Sequence, residues 1–374
     1  MSFYIVNPGD TLSKIATSKL GSPGKWRLIA ELNGIINPSR IQVGQRLQLP
    51  GKVVEAPGVV NTSAGIQTAT KERVRISVEN KVVYATLLAK PEKIFVGRLY
   101  RKGLHRIGLQ EPETFIANHR EKLLEVTMTD SEMNVMFATS ENEGNLDAVN
   151  TWDNQFLSFG MFQWSAGSSG KPGELPALLK TVRDRYPDDF QNYWGQFGLD
   201  VVDVGRKTGW FSYRGKKLFS AADKAMLRDP IWAYRFIRAG TDIEVQATQI
   251  LHAINRLNQF YFVKSSKLDG YTLGDLITSE YGVALLLDNH VNRPGYVHSC
   301  VADALTRSDL TAEEAYRGGD EEEQLLIRNY LDVRESYGRQ PMTDSRQRAS
   351  VIRGYVVDGI ISARRGSFDS SLRL

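Results

Sequence analysis

The spacing of apolar residues changes character several times along the chain, and each change predicts a different element. Tyr4-Ile5-Val6 is a short apolar run closed by the turn-forming Asn7-Pro8-Gly9-Asp10, which reads as a strand leaving through a tight turn. Thr11 can cap a helix whose apolar positions are Leu12, Ile15 and Ala16. A second helix runs from Trp26 through Leu28, Ile29 and Leu32 and stops near Asn33-Gly34. From Gly44 to Pro50 the period becomes two, which returns the chain as a strand. The first fifty residues are therefore expected to form a β-α-α-β unit.

Residues 51–70 are rich in small, polar and turn-forming types and read as a linker. Three β-like runs follow, at residues 74–78, 82–86 and 93–97, with Glu79-Asn80 as the hairpin turn between the first two. From Glu113 the texture is helical: Phe115, Ile116, Leu123 and Leu124, then Met133, Met136 and Phe137, lie at helical spacings. Trp232, Phe236, Ile250, Leu251, Ile254 and Leu257 continue it, and Asp320–Leu331 and Arg346–Ile361 read as two more amphipathic helices. The polar tail after Arg365 is expected to fray. The expected architecture is a multidomain α+β protein: a βααβ module over 1–50, a linker with a small β segment over 51–112, and a mainly helical domain over 113–374.

Composition narrows the function by exclusion. A chain of 374 residues exceeds one ordinary core, which agrees with several domains. The net charge of +4, from 47 basic against 43 acidic residues, is too mild for a nucleic-acid binder, and no basic run interleaved with aromatics occurs. Cys300 is the only cysteine, so no internal disulfide exists and a small buried apolar role is expected. The five histidines show no metal-ligand spacing, so neither a metal nor another cofactor is expected. The N-terminus lacks the pattern of a secretory signal, and the most apolar run, Gly282 to Leu287, is far too short to span a membrane.

The first fifty residues resemble the LysM family. The match is carried by Tyr4-Ile5-Val6-Asn7-Pro8-Gly9-Asp10-Thr11-Leu12, Ile15-Ala16, Asn33, Asn37-Pro38, Ile41, Val43-Gly44-Gln45, Leu47 and Pro50. The resemblance implies a shallow groove for N-acetylated sugars, with backbone amides and carbonyls holding the acetamido groups. Carried over, Gly9, Asp10, Thr11 and Leu12 would face Asn37, Pro38 and Ile41. Gly9, Asp10 and Asn37 are also residues that the turns themselves require.

A second stretch, Met136-Phe137-Ala138-Thr139-Ser140-Glu141-Asn142-Glu143-Gly144-Asn145, takes an apolar helix into a glutamate. It continues through a polar loop to Phe159-Gly160-Met161-Phe162-Gln163-Trp164. This pattern resembles the lysozyme-like superfamily, in particular goose-type lysozymes and soluble lytic transglycosylases. The resemblance implies that Glu141 is the catalytic acid, that Asp153 is its partner, and that Phe159, Met161 and Gln163 line the substrate groove. The sequence departs from the pattern at Ser165, where a second aspartate would stand. Residues 284–297 weakly resemble a transglycosylase signature but lack its Tyr-Asn pair; Asn289, Asn292 and Arg293 are the groove candidates there.

The chemistry suits these residue types. Glycosidic cleavage needs a carboxyl that stays protonated near neutral pH, and apolar neighbours and a helix C-terminus both raise a glutamate's pKa. Hydrolysis between N-acetylmuramic acid and N-acetylglucosamine, with Asp153 positioning water, is the first expectation. Lytic transglycosylation by Glu141 alone is the second, and a non-catalytic tail or baseplate scaffold the third. A chitin-directed hydrolase would differ only in its substrate. Asp153 serves equally well as a loop-capping residue, Glu143 is expected to be exposed, and Asp147 to serve turn chemistry. Gly167-Ser168-Ser169-Gly170 reads as a flexible loop. The expected partner is the peptidoglycan glycan strand, reached through a phage tail or contractile injection machine, with an immunity protein as a further partner. The expected place of action is the periplasm or cell wall.

Overall fold

The computed structural model describes residues 2–20, 26–35, 41–49, 74–88, 90–339, 342 and 344–372. The chain is a multidomain α+β protein whose residues divide into two compact units, 1–110 with 144–248, and 111–143 with 249–374.

The first unit begins with the expected βααβ module. Strands β1 (Ser2–Ile5) and β2 (Arg46–Leu49) pair antiparallel, with the helices Leu12–Leu20 and Trp26–Asn33 between them in sequence. Val6, Leu12, Ile15, Ala16, Ile29, Ala30, Leu47 and Leu49 form its core. Asn33 ties the second helix to β2: its Nδ2 donates to Ile29 O (2.7 Å) and Gln48 O (2.8 Å), and its Oδ1 accepts from Gln48 N (2.7 Å).

The β-like runs belong to a larger sheet than the sequence suggests. Strands β3 (Val74–Glu79), β4 (Val82–Leu87), β5 (Lys90–Tyr100), β6 (Gly103–Arg106), β7 (Val149–Asn150), β8 (Ser158–Phe159) and β9 (Trp164–Ser165) form one antiparallel meander of seven strands. The first hairpin turns at Asn80 and Lys81, one residue later than expected, and both have positive φ (51° and 67°). That conformation matches the right-handed twist of the flanking strands. The helix Pro230–Ala239 packs on β5 and β7. A separate sheet holds β10 (Leu199–Val202), β11 (Trp210–Tyr213) and β12 (Lys216–Lys217). Residues 144–248 thus group with the N-terminal part, although they fall inside the single helical domain expected from residue 113. The cause is backbone pairing: Val149 and Asn150 continue the sheet beside β6.

Asp147 anchors this arrangement. It is fully buried, pairs with Arg106 Nη2 at 3.0 Å, and accepts from the amides of Leu109 (2.6 Å) and Gln110 (2.8 Å). The approach is close enough that a Cβ at Gly108, which has φ +90°, would sit 2.5 Å from Asp147 Oδ1. The turn chemistry expected of Asp147 is therefore a buried ion pair. Downstream, the loop expected to be flexible is held in place. Lys224 is 1% exposed, and its Nζ donates to the carbonyls of Ala166 (2.9 Å), Gly167 (2.8 Å), Ser168 (2.9 Å) and Lys171 (2.8 Å).

The second unit is helical. Helix Glu280–Asn292 is buried from Glu280 through His290, as expected for a helix at the centre of a bundle. It packs against Asp130–Ser140 and Ser345–Val357, while Val297–Arg307 packs on Asp320–Ser336. Cys300 is buried there, and burial pushes its thiol up to about 11. The tail does not fray as expected: Asp369 N donates to Ser131 Oγ (3.1 Å), Ser371 N to Glu132 Oε1 (3.0 Å), and Phe368 is 6% exposed.

Replacing Asp147 with alanine leaves Arg106 buried without its counter-charge and should destabilise the chain by about 3–5 kcal/mol. Denaturant midpoints of the two proteins measure this, with Glu79→Ala, a surface pair, as the variant expected to change little.

Candidate functional site

Two regions carry the candidate residues. In the N-terminal module, Gly9 takes φ +82° with open space around its Cα, and Thr11 Oγ1 accepts from Lys14 N (3.2 Å) to cap the first helix. Asp10 Oδ2 accepts from the Tyr4 hydroxyl (2.8 Å) and Asn7 N (2.7 Å), which fixes the loop that presents Gly9 and Thr11 at the surface. Leu12 is different: at 2% exposure it is core rather than groove, because the helix turns it onto Ile15 and Ala16. Ile41 is partly buried against the same core. Asn37 and Pro38 lie outside the described residues.

The carboxyl cluster of the second unit is built at the end of helix Asp130–Ser140. That helix starts with a reciprocal cap between Thr129 and Glu132, and Glu141 is its C-terminal cap. Glu141 is exposed, and the Tyr355 hydroxyl donates to its carboxylate. Phe137, one turn back, meets the Tyr355 ring edge-to-face at 5.4 Å. Burial pushes the Tyr355 hydroxyl above its ordinary range, and the Glu141 and Glu113 charges add to the rise. Glu113, on the short helix Pro112–Asn118, is the second carboxyl. Burial raises its pKa, and the charges of Glu111 and Glu141 raise it further. Its Oε2 is buried without a hydrogen-bond partner. Neither Glu113 nor Tyr355 was legible as part of this group. A glutamate in a first helical turn is ordinary capping chemistry, and Tyr355 arrives from 214 residues away.

Glu143 differs from expectation. Its side chain is 11% exposed and pairs with Arg348. Burial pushes the carboxyl up to about 7, with the Asp288 charge adding to the rise and Arg348 opposing it. Arg348 also reaches Asp288 Oδ1 (2.6 Å), and its Nη1 donates to Asn142 O (2.8 Å). Asn142 Nδ2 donates back to Arg348 O (3.2 Å).

The remaining candidates behave as framework. Asp153 belongs to the first unit, whereas Glu141 belongs to the second. Both Asp153 oxygens serve its own loop, accepting from Gln155 N (2.8 Å) and Asn150 Nδ2 (3.1 Å). Phe159 and Met161, expected in a groove, are 0% and 1% exposed, because β8 and its turn point them inward; Phe159 lies 5.1 Å from the Phe236 ring. Gln163 sits at φ 50° and folds its Nε2 back onto Gly160 O (3.0 Å). Asn289 is fully buried and donates to the Tyr330 hydroxyl (2.8 Å). Asn292 donates to Asp288 O (2.9 Å), and Arg293 Nη1 to Tyr337 O (2.7 Å). Among the described residues, no cluster fits a metal ion and no helix is long and apolar enough to cross a membrane.

The Glu143 carboxyl binds its proton more tightly folded than unfolded. Its stabilising contribution is therefore complete below about pH 4.5 and is lost as pH rises toward about 7. Thermal midpoints recorded from pH 4 to 8 should fall through that window in the wild type. The slope should flatten in Glu143→Gln, and an unchanged slope would assign the loss to other groups.

Comparison with known proteins bears on the first of these regions. No solved structure matches the chain. An uncharacterised protein of Deinococcus radiodurans is 50% identical over 48 residues, which is 13% of this chain and 19% of that protein, so the chain spans a small part of that relative's length. The LysM domain model matches residues 4–50. With its βααβ fold and presented Gly9–Thr11 loop, the N-terminal module is thus a LysM domain, a carbohydrate-binding module of the peptidoglycan-binding kind.

Proposed function

We propose that this chain is a peptidoglycan-cleaving glycosidase, held on its polymer by the LysM domain and cutting with Glu141. The observation that carries the reading is an exposed carboxyl, Glu141, held by the Tyr355 hydroxyl, with the half-buried Glu113 close enough for the Glu141 charge to help raise its pKa. Two neighbouring carboxyls are the residue types that acid-catalysed glycoside cleavage uses. In this reading Glu141 meets the glycosidic oxygen. Tyr355 holds the Glu141 carboxyl in one orientation, and Glu113 lies close enough to act on it electrostatically.

The LysM domain contributes by concentration rather than chemistry. Tethering the cutting unit to a repeating polymer turns each encounter after the first into an intramolecular one. The bond first in line is the β-1,4 linkage between N-acetylmuramic acid and N-acetylglucosamine. A second outcome, lytic transglycosylation, is favoured by the loop role of Asp153, whose two oxygens hold Gln155 N and Asn150 Nδ2 within its own turn. Glu141 alone would then act as acid and then base, and the sugar's own hydroxyl would attack. Delivery by a phage tail or contractile injection machine fits this activity, and an immunity protein would then cover Glu141.

Mass spectrometry of fragments released from purified peptidoglycan tests the reading. Reducing muropeptides from the wild type, lowered about 10²–10⁴-fold in Glu141→Gln, are the expected result. 1,6-Anhydro ends would select transglycosylation, and no fragments from either protein would leave a glycan-binding scaffold. Tyr355→Phe should retain the fold and lose activity less severely than Glu141→Gln, since it removes one orienting hydrogen bond.

A further inference from the structure

The first unit contains a cavity that the glycosidase reading does not use. It has a volume of about 580 Å³ and lies between the β11–β12 hairpin, the turn around Phe197 and the start of helix Pro230–Ala239. Such a volume suits a ligand of one or two sugar rings or a short peptide. Its most unusual wall is Arg235. The guanidinium carbon lies 3.6 Å from the Phe197 ring centroid and 4.5 Å from that of Trp232, so the cation rests against two aromatic rings. Among the described residues no hydrogen bond and no ion pair within 4 Å engages it, and the Asp229 charge acts on it only from a longer range.

Arg214 supplies a second cation. It sits at φ 51° in the β11–β12 turn, and its guanidinium lies 5.1 Å from the Tyr213 ring. Its amide donates to Gly198 O (2.7 Å), which fastens this turn to the opposite wall. Tyr213 in turn meets Trp232 edge-to-face at 6.1 Å. The acidic wall residue is Asp229, whose Oδ1 is occupied in capping the helix through Ile231 N (3.0 Å). Two arginines against one aspartate, whose charge also acts on Arg235, leave the cavity wall with a surplus of one positive charge.

We infer that this cavity is a binding site for a carboxylate ligand, with Arg235 as its principal receptor and Arg214 as its second. Contact with the Phe197 and Trp232 rings engages the guanidinium as a cation and does not use its N–H donors, which are available for an anion. A planar fork of that kind matches a carboxylate, which can take two parallel hydrogen bonds. The rings also fix the side chain before the ligand arrives, so little freedom is lost on binding. Burial already pulls the Arg235 guanidinium below its ordinary range, and an anion would relieve that cost. The carboxylate could be borne by an acidic sugar or by the end of a short peptide. The inference is independent of Glu141 and its neighbours.

The test is titration of the full chain, labelled with ¹⁵N-tryptophan, at pH 7. The probes are N-acetylmuramic acid, D-alanyl-D-alanine and, as the sugar without a carboxylate, N-acetylglucosamine. The Trp232 indole resonance, assigned with Trp232→Phe, reports on the cavity and not on the LysM groove. A saturable shift with either carboxylate probe and none with N-acetylglucosamine is expected, and the probe that acts identifies the source of the carboxylate. Arg235→Gln should weaken that binding at least tenfold. Arg214→Gln, on an exposed turn that cannot compromise the core, should weaken it severalfold with an unchanged thermal midpoint. A Trp232 response to N-acetylglucosamine equal to that for N-acetylmuramic acid, no response to either carboxylate, or unaltered binding in both arginine variants would overturn the inference.

Discussion

Asp288 sits at the centre of the helical unit with no exposure, and the unit's order follows from how that charge is met. Arg334, equally buried, approaches Asp288 Oδ2 at 3.1 Å, and Arg348 takes the other oxygen. Arg334 also donates to the carbonyls of Leu285 (3.2 Å) and Ser345 (3.1 Å), so its charge is distributed over two helices. Arg348 carries the network onward to Glu143 and to the backbone of Asn142. Charges this deep are tolerated only when every member has its partner, since a single deletion strands another charge in an apolar interior. Four segments are thereby fixed to one point: the end of helix Asp130–Ser140, and helices Glu280–Asn292, Asp320–Ser336 and Ser345–Val357.

The position of Glu141 is inherited from this network. Arg348 clasps Asn142, the residue after Glu141, and Tyr355 lies seven residues beyond Arg348 on the same helix. Two helical turns separate them, so both project from one face toward the end of Asp130–Ser140. One arginine sets the backbone and one tyrosine sets the carboxylate. The Glu141 carboxyl is thus oriented from a buried cluster rather than by its own exposed surroundings.

Much of this was legible in the chain, and what was not has common causes. The elements of the LysM domain could be read from the chain because its turns, caps and alternation are local, and local signals survive in sequence; Leu12, expected in the groove, belongs to the core. Helices Asp130–Ser140 and Asp320–Ser336 were legible from their periodicity for the same reason. The seven-stranded sheet was not, because β7, β8 and β9 have two residues each and too few positions to show a period. The stretch that reads as one motif from Met136 to Trp164 is divided between the two units after Glu143. Phe159 and Met161 looked like groove residues because their identity fits either a wall or a core, and only burial separates the two. Glu113, Tyr355 and the partner of Glu143 depend on contacts across up to 214 positions, which no spacing rule reaches.

Lys224 shows how the first unit solves a different problem. Four carbonyls converging on one point, as those of Ala166, Gly167, Ser168 and Lys171 do, repel each other unless a cation sits among them. Many proteins recruit calcium or sodium for such a cradle, and the loop then loosens wherever the ion is scarce. Here the cation is part of the chain. A tethered ammonium cannot be washed away, chelated or diluted, so the segment it organises keeps its shape in surroundings whose salt content varies. The control that remains is proton concentration: burial brings the Lys224 ammonium down to about 8, so mildly alkaline conditions discharge the cation that an ion-depleted medium could not remove.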